Sequence, residues 1–135
     1  MPDDSQPGRL TDLELEIMDV IWGSHPTPAT VRGVTDVLDA SGRKPLAYTT
    51  VQTMMNILCR KGVLTSAPGP GRAHEYRALV TRESATTSMT QDFVQRLFGG
   101  RSKPLLAHLL EREELDRTDL MSLRELIDEQ LTEED

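Results

Sequence analysis

Cysteine and aromatic residues are both scarce in this sequence. Cys59 is the single cysteine among 135 residues, so the chain cannot form an internal disulfide or a cysteine-rich metal site. One tryptophan, two tyrosines and two phenylalanines, with a hydrophobic fraction of 37%, predict a modest core that a partner chain helps to bury. The sequence contains neither a signal peptide nor an apolar run long enough to span a membrane. We therefore expect a cytoplasmic protein without a membrane partner.

The sequence also lacks the arrangements that catalysis, cofactors and metals require. The segment 69–71 is rich in glycine but has no Lys and Ser/Thr of a phosphate-binding loop. Cys59 beside Arg60 would suit a redox-sensitive thiol, but a lone cysteine is more often a small buried apolar residue. We predict no enzyme, no cofactor and no metal. The histidines are scattered without partners at metal-ligand spacing: His25, His74 and His108.

The net charge of −7 would by itself argue against a nucleic-acid partner, but the charges are unevenly distributed. Between Arg43 and Arg77 the chain carries six basic residues and one acidic residue, a local charge of +5. From Thr81 to Asp135 it carries seven basic and thirteen acidic residues, a local charge of −6. Because the local field decides where a polyanion binds, the middle of the chain is the candidate phosphate-facing surface.

The segment 45–62 predicts an amphipathic helix with an unusual polar side. Val51, Met54, Met55 and Leu58 recur at helical spacing and form an apolar stripe. The opposite stripe has short uncharged side chains that suit DNA base edges, followed by basic residues that suit phosphate. The alternative interpretation is an ordinary exposed helix face that lacks carboxylates. The candidate DNA contacts on this helix are Thr49, Thr50, Gln52, Thr53, Asn56, Arg60 and Lys61.

Two further amphipathic helices precede this segment. Thr11 predicts the start of the first helix, because Glu14 lies three residues later as in a capping box. Thr27 followed by Pro28 predicts the start of the second helix, with Pro28 at its first position and its end near Ala40. Three short helices joined by tight turns predict a helix-turn-helix unit.

A β-hairpin is predicted directly after the three helices. Two β-like runs, 63–67 and 73–79, flank a loop of Pro and Gly. A hairpin in this position is a wing, so residues 10–80 are predicted to form a winged helix-turn-helix domain after a disordered tail at 1–9. We expect the hairpin also to cover the core, with Tyr76 packing inward. Two residues near the tip of the wing are candidate DNA contacts: Arg72 and His74.

Beyond Thr81 the pattern is purely helical, with an interruption at Gly99-Gly100 and a new helix start at Asp116. Short leucine-rich helices of this kind cannot bury one another fully, so residues 81–135 predict a three-helix dimerisation domain. The fold class is thus mainly α with a small β-hairpin, and a two-fold dimer would contact both halves of a DNA dyad. The candidate dimerisation residues are Phe93, Leu97, Phe98, Leu105, Leu106, Leu109, Leu110, Leu120, Leu123 and Ile127.

Four strings occur in this order along the chain: Leu10-Thr11-Asp12-Leu13-Glu14, Ala47-Tyr48-Thr49-Thr50-Val51-Gln52-Thr53, Arg60-Lys61-Gly62 and Phe98-Gly99-Gly100. Together they resemble the penicillinase-repressor and methicillin-repressor (BlaI/MecI) family. The resemblance extends from about Leu10 to Leu131. It implies a dimeric winged-helix repressor of double-stranded DNA, with a dyad operator of TACA/TGTA-like half-sites that Thr49, Thr50, Gln52 and Thr53 contact.

Two features of that family are missing from this sequence. In the antibiotic-responsive members a sensor-protease signal leads to cleavage at an Asn-Phe bond, and this chain has His108-Leu109 at the matching position. Copper-responsive relatives carry C-terminal Cys-x-Cys motifs, and the C-terminal part of this chain has no cysteine. Both differences argue against an inducing protease of that kind and against copper sensing. Two alternatives to a DNA-binding repressor are a winged-helix module for protein–protein interaction and a small-molecule-responsive winged-helix regulator.

Overall fold

Six α-helices and one antiparallel pair of strands make up the computed structural model, which describes residues 10–23, 28–42 and 45–133. This confirms the predicted mainly helical class with a small hairpin. The predicted disordered tail at 1–9 and the predicted cap Thr27 lie outside the described residues. In chain order the elements are α1 (Asp12–Gly23), α2 (Val31–Ala40), α3 (Tyr48–Arg60), β1 (Leu64–Pro68), β2 (His74–Ala78), α4 (Arg82–Phe98), α5 (Ser102–Arg112) and α6 (Arg117–Glu133).

Helix α1 begins with the predicted capping box. The Thr11 backbone N–H donates to Glu14 Oε1 at 2.8 Å, and the Glu14 N–H donates to Thr11 Oγ1 at 3.2 Å. These reciprocal bonds satisfy two of the N–H groups that a helix start leaves without intrahelical partners. The local sequence signal is therefore sufficient to fix where this helix starts.

Helix α2 begins later than predicted. Its N-cap is Thr30, whose Oγ1 accepts a hydrogen bond from the Gly33 N–H at 3.0 Å, so the placement of Pro28 at the first helical position is wrong. The reason is that Ala29 forms a β-bridge with Tyr76. The Ala29 N–H donates to the Tyr76 carbonyl at 2.9 Å, and the Tyr76 N–H donates back at 2.7 Å. This pairing requires an extended backbone just before the helix.

An apolar core lies between α1, α2, α3 and the hairpin. The predicted stripe on α3 is confirmed at Val51, Met55 and Leu58, which have no exposed surface. Tyr76 of β2 is buried as well, so the hairpin covers the core as expected. The other large buried residues of this cluster are Ile17, Met18, Ile21, Val31, Val34, Leu38, Val63 and Leu64.

Gly62 ends α3 and directs the chain into the hairpin. Its φ of 81° lies in the left-handed region, which glycine adopts without the steric cost of a Cβ atom. The Val63 N–H then donates to the Leu58 carbonyl at 3.0 Å, which satisfies one of the last carbonyls of the helix. From there β1 pairs with β2 in a register that runs from Leu64↔Ala78 to Pro68↔His74.

The chain divides into two compact units, residues 1–92 and 93–135, and the division falls within α4. The sequence pattern instead changes at Thr81, which caps the start of this helix by accepting a hydrogen bond from the Ser84 N–H at 3.0 Å. In the second unit, Asp116 caps α6 as predicted, because its Oδ1 accepts from the Asp119 N–H at 2.8 Å. The units are hereafter called the first unit and the second unit.

Two valines on α2 provide a matched test of the core. Val34 is 1% exposed and Val37 is 51% exposed. Val34→Ala should lower the free energy of unfolding by about 2 kcal/mol, because it removes buried methyl groups and leaves a cavity. Val37→Ala should change it by at most about 0.5 kcal/mol. Urea unfolding followed by circular dichroism measures both, and equal losses would contradict the packing of α2 described above.

Candidate nucleic-acid interface

The side of α3 opposite the core is exposed and carries no carboxylate. Five of its side chains are hydroxyls or amides, which can donate and accept hydrogen bonds at base edges. Arg60 adds a positive charge in the last turn of the helix. We call this exposed set the polar face of α3, and its members are Thr49, Thr50, Gln52, Thr53, Asn56 and Arg60.

Asn56 forms a hydrogen bond with a residue of the wing. Its Oδ1 accepts a hydrogen bond from the Tyr76 hydroxyl at 3.2 Å. Burial raises the pKa of the Tyr76 phenol, with smaller contributions from Cys59 and Tyr48, so the hydroxyl keeps the proton that it donates. Because Tyr76 also pairs with Ala29, Asn56 connects α3 to both the wing and the start of α2. This connection depends on residues that are distant in the sequence, and helical periodicity did not reveal it.

Lys61 occupies a different environment from the one expected. Its Nζ lies 2.7 Å from Glu14 Oε1, and its side chain is 11% exposed. The ammonium group therefore points toward the start of α1 and pairs with a carboxylate that is itself almost fully buried. Arg60, by contrast, is exposed. A sequence signal for this pair does exist, because Glu14 falls on the apolar stripe of α1 with Ile17, Met18 and Ile21, where a carboxylate needs a partner.

Two opposing effects act on the Glu14 carboxyl. Burial raises its pKa, whereas the hydrogen bond and charge of Lys61, together with hydrogen bonds from Thr11, lower it. The lowering effects prevail, so the pKa of Glu14 lies below its ordinary value of 4.5. Glu14 is therefore ionised near neutral pH, and the Glu14–Lys61 contact is an ion pair.

The wing carries exposed side chains in its turn and on both faces of β2. Arg72 lies in the exposed turn between the strands, and His74 is the first residue of β2. Since alternate strand residues share a face, His74 is on the same face as the buried Tyr76, although its own side chain is exposed. Arg77 is exposed on the opposite face. The wing therefore offers basic side chains at its tip and along one strand.

Cys59 is half-buried on α3. Burial raises the pKa of its thiol, and a hydrogen bond with Ser66 opposes this effect only in part. A raised pKa disfavours the reactive thiolate, which fits the small apolar role better than redox sensing. Within residues 10–23, 28–42 and 45–133, no group of His, Cys, Asp and Glu is arranged to hold a metal ion. In the same described ranges, no helix is long and apolar enough to cross a membrane.

The second unit exposes an apolar groove between α5 and α6. The groove has a volume of about 560 Å³. Five of the ten predicted dimerisation residues line it: Leu106, Leu109, Leu110, Leu123 and Ile127. Leu126 and Leu131 line it too, although they were not among the predicted residues. Of the remaining predicted residues, Phe93 and Phe98 pack against each other with ring centroids 6.2 Å apart, while Leu97, Leu105 and Leu120 lie outside the groove lining.

Comparison with known proteins identifies the family of this chain. The penicillinase repressor family matches residues 10–129. The chain belongs to the penicillinase repressor family. It is 35% identical to the transcriptional regulator BlaI of Mycobacterium tuberculosis over 114 residues, which cover 84% of this chain and 80% of that protein. It is 21% identical to the penicillinase repressor of Staphylococcus aureus, with 86% and 88% covered. It is 19% identical to the methicillin resistance regulatory protein MecI of the same species, with 92% and 97% covered.

Membership in the penicillinase repressor family confirms the resemblance to BlaI and MecI. The family consists of transcriptional repressors, which are not enzymes. DNA is the partner that such a family implies. The six helices and the hairpin agree with a winged-helix domain followed by a helical C-terminal region.

Removing the carboxylate of the Glu14–Lys61 pair should strongly destabilise the first unit. Glu14→Gln leaves a poorly exposed ammonium without its carboxylate, so we expect the free energy of unfolding at pH 7 to fall by about 3 kcal/mol. Asp19→Asn, on the same helix, is the control. Its carboxylate lies 3.9 Å from Arg82 and is 56% exposed, so its loss should have little effect. Chemical unfolding of the three proteins makes the comparison.

The same pair gives a pH dependence of defined sign. Because the pKa of Glu14 is lowered by folding, its contribution is present above the unfolded-state pKa and is lost as the pH falls through the folded-state value. The stability difference between wild type and Glu14→Gln should therefore be full at pH 7 and should shrink below about pH 4.5. A difference that stays constant from pH 7 to pH 3 would show that the charge of Glu14 is not what stabilises the fold.

Proposed function

We propose that the protein is a dimeric repressor that recognises a dyad operator in double-stranded DNA, with half-sites resembling TACA/TGTA. The polar face of α3 carries the proposal. It is exposed and free of carboxylates, and on the opposite stripe of the same helix Val51, Met55 and Leu58 are fully buried and Met54 is partly buried. A helix held in this way can enter a major groove without exposing its apolar residues. Membership in a repressor family supports the same conclusion.

The residues of the first unit take different roles in this proposal. Base edges would be read by four side chains of the polar face: Thr49, Thr50, Gln52 and Thr53. Arg60 would contact phosphate at the end of the helix, and Arg72 and His74 would contact the backbone or the minor groove beside the wing. Asn56, on the polar face, would hold α3 against the wing through Tyr76, and Lys61 would hold the end of α3 through Glu14.

The second unit would supply the dimer contact. Several large apolar side chains are more than half exposed there, among them Leu106, Leu110 and Ile127. Exposed leucine-rich surfaces of this kind are typical of association sites. A second copy of the chain would cover the groove with an equivalent surface and would place two α3 helices on the two halves of a dyad.

The sequence argues against release of the operator by cleavage at an Asn-Phe bond. The matching position holds His108 and Leu109, which lie on α5 with their side chains exposed. Leu109 lines the apolar groove, so any change at this position would act on the surface through which the dimer is proposed to form.

Gln52→Ala should reduce sequence discrimination. We expect the wild-type protein to prefer a duplex with a TACA/TGTA dyad over a scrambled duplex. Gln52→Ala should weaken binding to the dyad duplex by about 1–3 kcal/mol and leave binding to the scrambled duplex unchanged. Gln91→Ala is the control, because Gln91 is exposed on α4, outside the polar face. Fluorescence anisotropy over a salt series gives both affinities.

Three outcomes of this experiment distinguish base readout from charge attraction and from the absence of DNA binding. A dyad preference that persists as salt rises, and that Gln52→Ala alone reduces, supports base readout. Equal, steeply salt-dependent binding to both duplexes would mean that only charge attracts the protein to DNA. Failure to bind either duplex would contradict the proposal and favour a winged-helix module whose partner is another protein.

Ile127→Glu should disrupt the dimer. Ile127 lines the groove and is 58% exposed, so a carboxylate there would be desolvated against a second copy. Met121→Glu is the control, because Met121 is on the same helix, 49% exposed and outside the groove lining. Sedimentation velocity should give a dimer for wild type and Met121→Glu and a monomer for Ile127→Glu. A wild-type monomer at micromolar concentration, or equal behaviour of the two variants, would contradict the proposed contact.

A further inference from the structure

Arg32, in the first turn of α2, lies against the first residue of α3. Its guanidinium carbon is 5.2 Å from the centre of the Tyr48 ring. Both side chains are at the surface, and Tyr48 is 41% exposed. A guanidinium stacked on an aromatic face is held by the ring quadrupole while its N–H groups stay directed outward in the plane. Contact with the ring would therefore orient the guanidinium of Arg32 and leave its N–H donors available.

Arg32 forms no ion pair with the acidic residues of α2, all of which lie within the described part of the chain. Asp36 lies four residues later, at the spacing that places two side chains next to each other on a helix. The guanidinium nevertheless stacks on Tyr48, and none of the ion pairs between described residues includes Arg32. An exposed cation that contacts the Tyr48 ring is thus available beside α3. Lys61 at the other end of the helix differs, because Glu14 neutralises it.

The position of Arg32 relative to the polar face of α3 indicates its ligand. Tyr48 directly precedes Thr49 and Thr50, so the stacked guanidinium borders the surface proposed to read base edges. In a helix-turn-helix unit the helix before the reading helix crosses the DNA backbone. A fixed guanidinium on that helix, at the edge of the groove, suits the two oxygens of a phosphate, which it can bind with two parallel hydrogen bonds.

We propose that Arg32, oriented by Tyr48, binds a backbone phosphate at the edge of each half-site. The proposal rests on the proposed function, since it takes α3 as the helix that enters the groove. Arg32 contributes affinity and register and no base readout, because phosphates are the same in every sequence. Tyr48 is a positioning residue, because it acts through the guanidinium. The charge distribution in the sequence did not indicate Arg32, because it lies outside the segment from Arg43 to Arg77 with local charge +5, on a helix with two aspartates.

The first test is Arg32→Ala, measured on the dyad duplex and on a scrambled duplex across a salt series. We expect about a tenfold loss of affinity for both duplexes, and a salt slope reduced by about one for each protomer bound. Arg117→Ala removes the same charge from an exposed position at the start of α6 and should change neither quantity. Circular dichroism checks that all variants keep the wild-type fold.

The outcomes separate this proposal from the one on which it rests. If wild type prefers the dyad and Arg32→Ala keeps its affinity and salt slope, the role of Arg32 is overturned while the repressor proposal stands. If Arg32→Ala loses affinity for the dyad alone, Arg32 reads bases and the phosphate contact is overturned. If wild type shows no preference for the dyad, the proposed function fails and this inference fails with it.

The second test concerns the stack. Tyr48→Phe keeps the ring and should bind DNA like wild type, whereas Tyr48→Leu keeps apolar volume without the ring and should lose about threefold in affinity. In the Arg32→Ala background, Tyr48→Leu should cost nothing further, because the group that it orients is gone. An unchanged cost in that background would show that Tyr48 acts independently of Arg32 and would overturn its positioning role.

Discussion

The buried ion pair between Glu14 and Lys61 is the contact on which the geometry of the first unit depends. One oxygen of Glu14, Oε1, accepts two hydrogen bonds. The Thr11 N–H donates the first and thereby caps α1, and the Lys61 ammonium, just past the end of α3, donates the second. A buried pair of this kind adds little net stability compared with an apolar pair, but the loss of either partner is costly. Its effect is therefore geometric, since it fixes the end of α3 at the start of α1.

Other polar contacts hold the remaining parts of the first unit in place around α3. The paired backbone of Ala29 and Tyr76 joins the wing to the start of α2, and the Tyr76 hydroxyl reaches Asn56 on α3. Trp22 Nε1 donates to the Val80 carbonyl at 3.0 Å, and the Arg82 guanidinium lies 5.6 Å from its ring. These contacts join α3 to the wing and to the neighbouring helices, which is the support that the proposed reading of DNA by α3 would need.

Local signals in the sequence predicted most of the fold and only part of the candidate site. The capping box at Thr11 and the buried stripe on α3 depend on neighbouring residues, so periodicity and residue type were sufficient to find them. The start of α2 was misplaced because its boundary depends on pairing between Ala29 and Tyr76. The surroundings of Asn56 and Lys61 were missed for the same reason, since their partners lie 20 and 47 residues away.

The two units differ in how they bury apolar surface. The first unit has a core of side chains with little or no exposure, whereas the helices α5 and α6 contain no fully buried residue. Helices of 11 and 17 residues are marginal on their own, so their leucines need another surface to become stable. If a second copy provides that surface, folding of the second unit and dimer formation become one equilibrium. The ability to occupy both halves of a dyad would then depend on protein concentration, because the second unit would be complete only in the dimer.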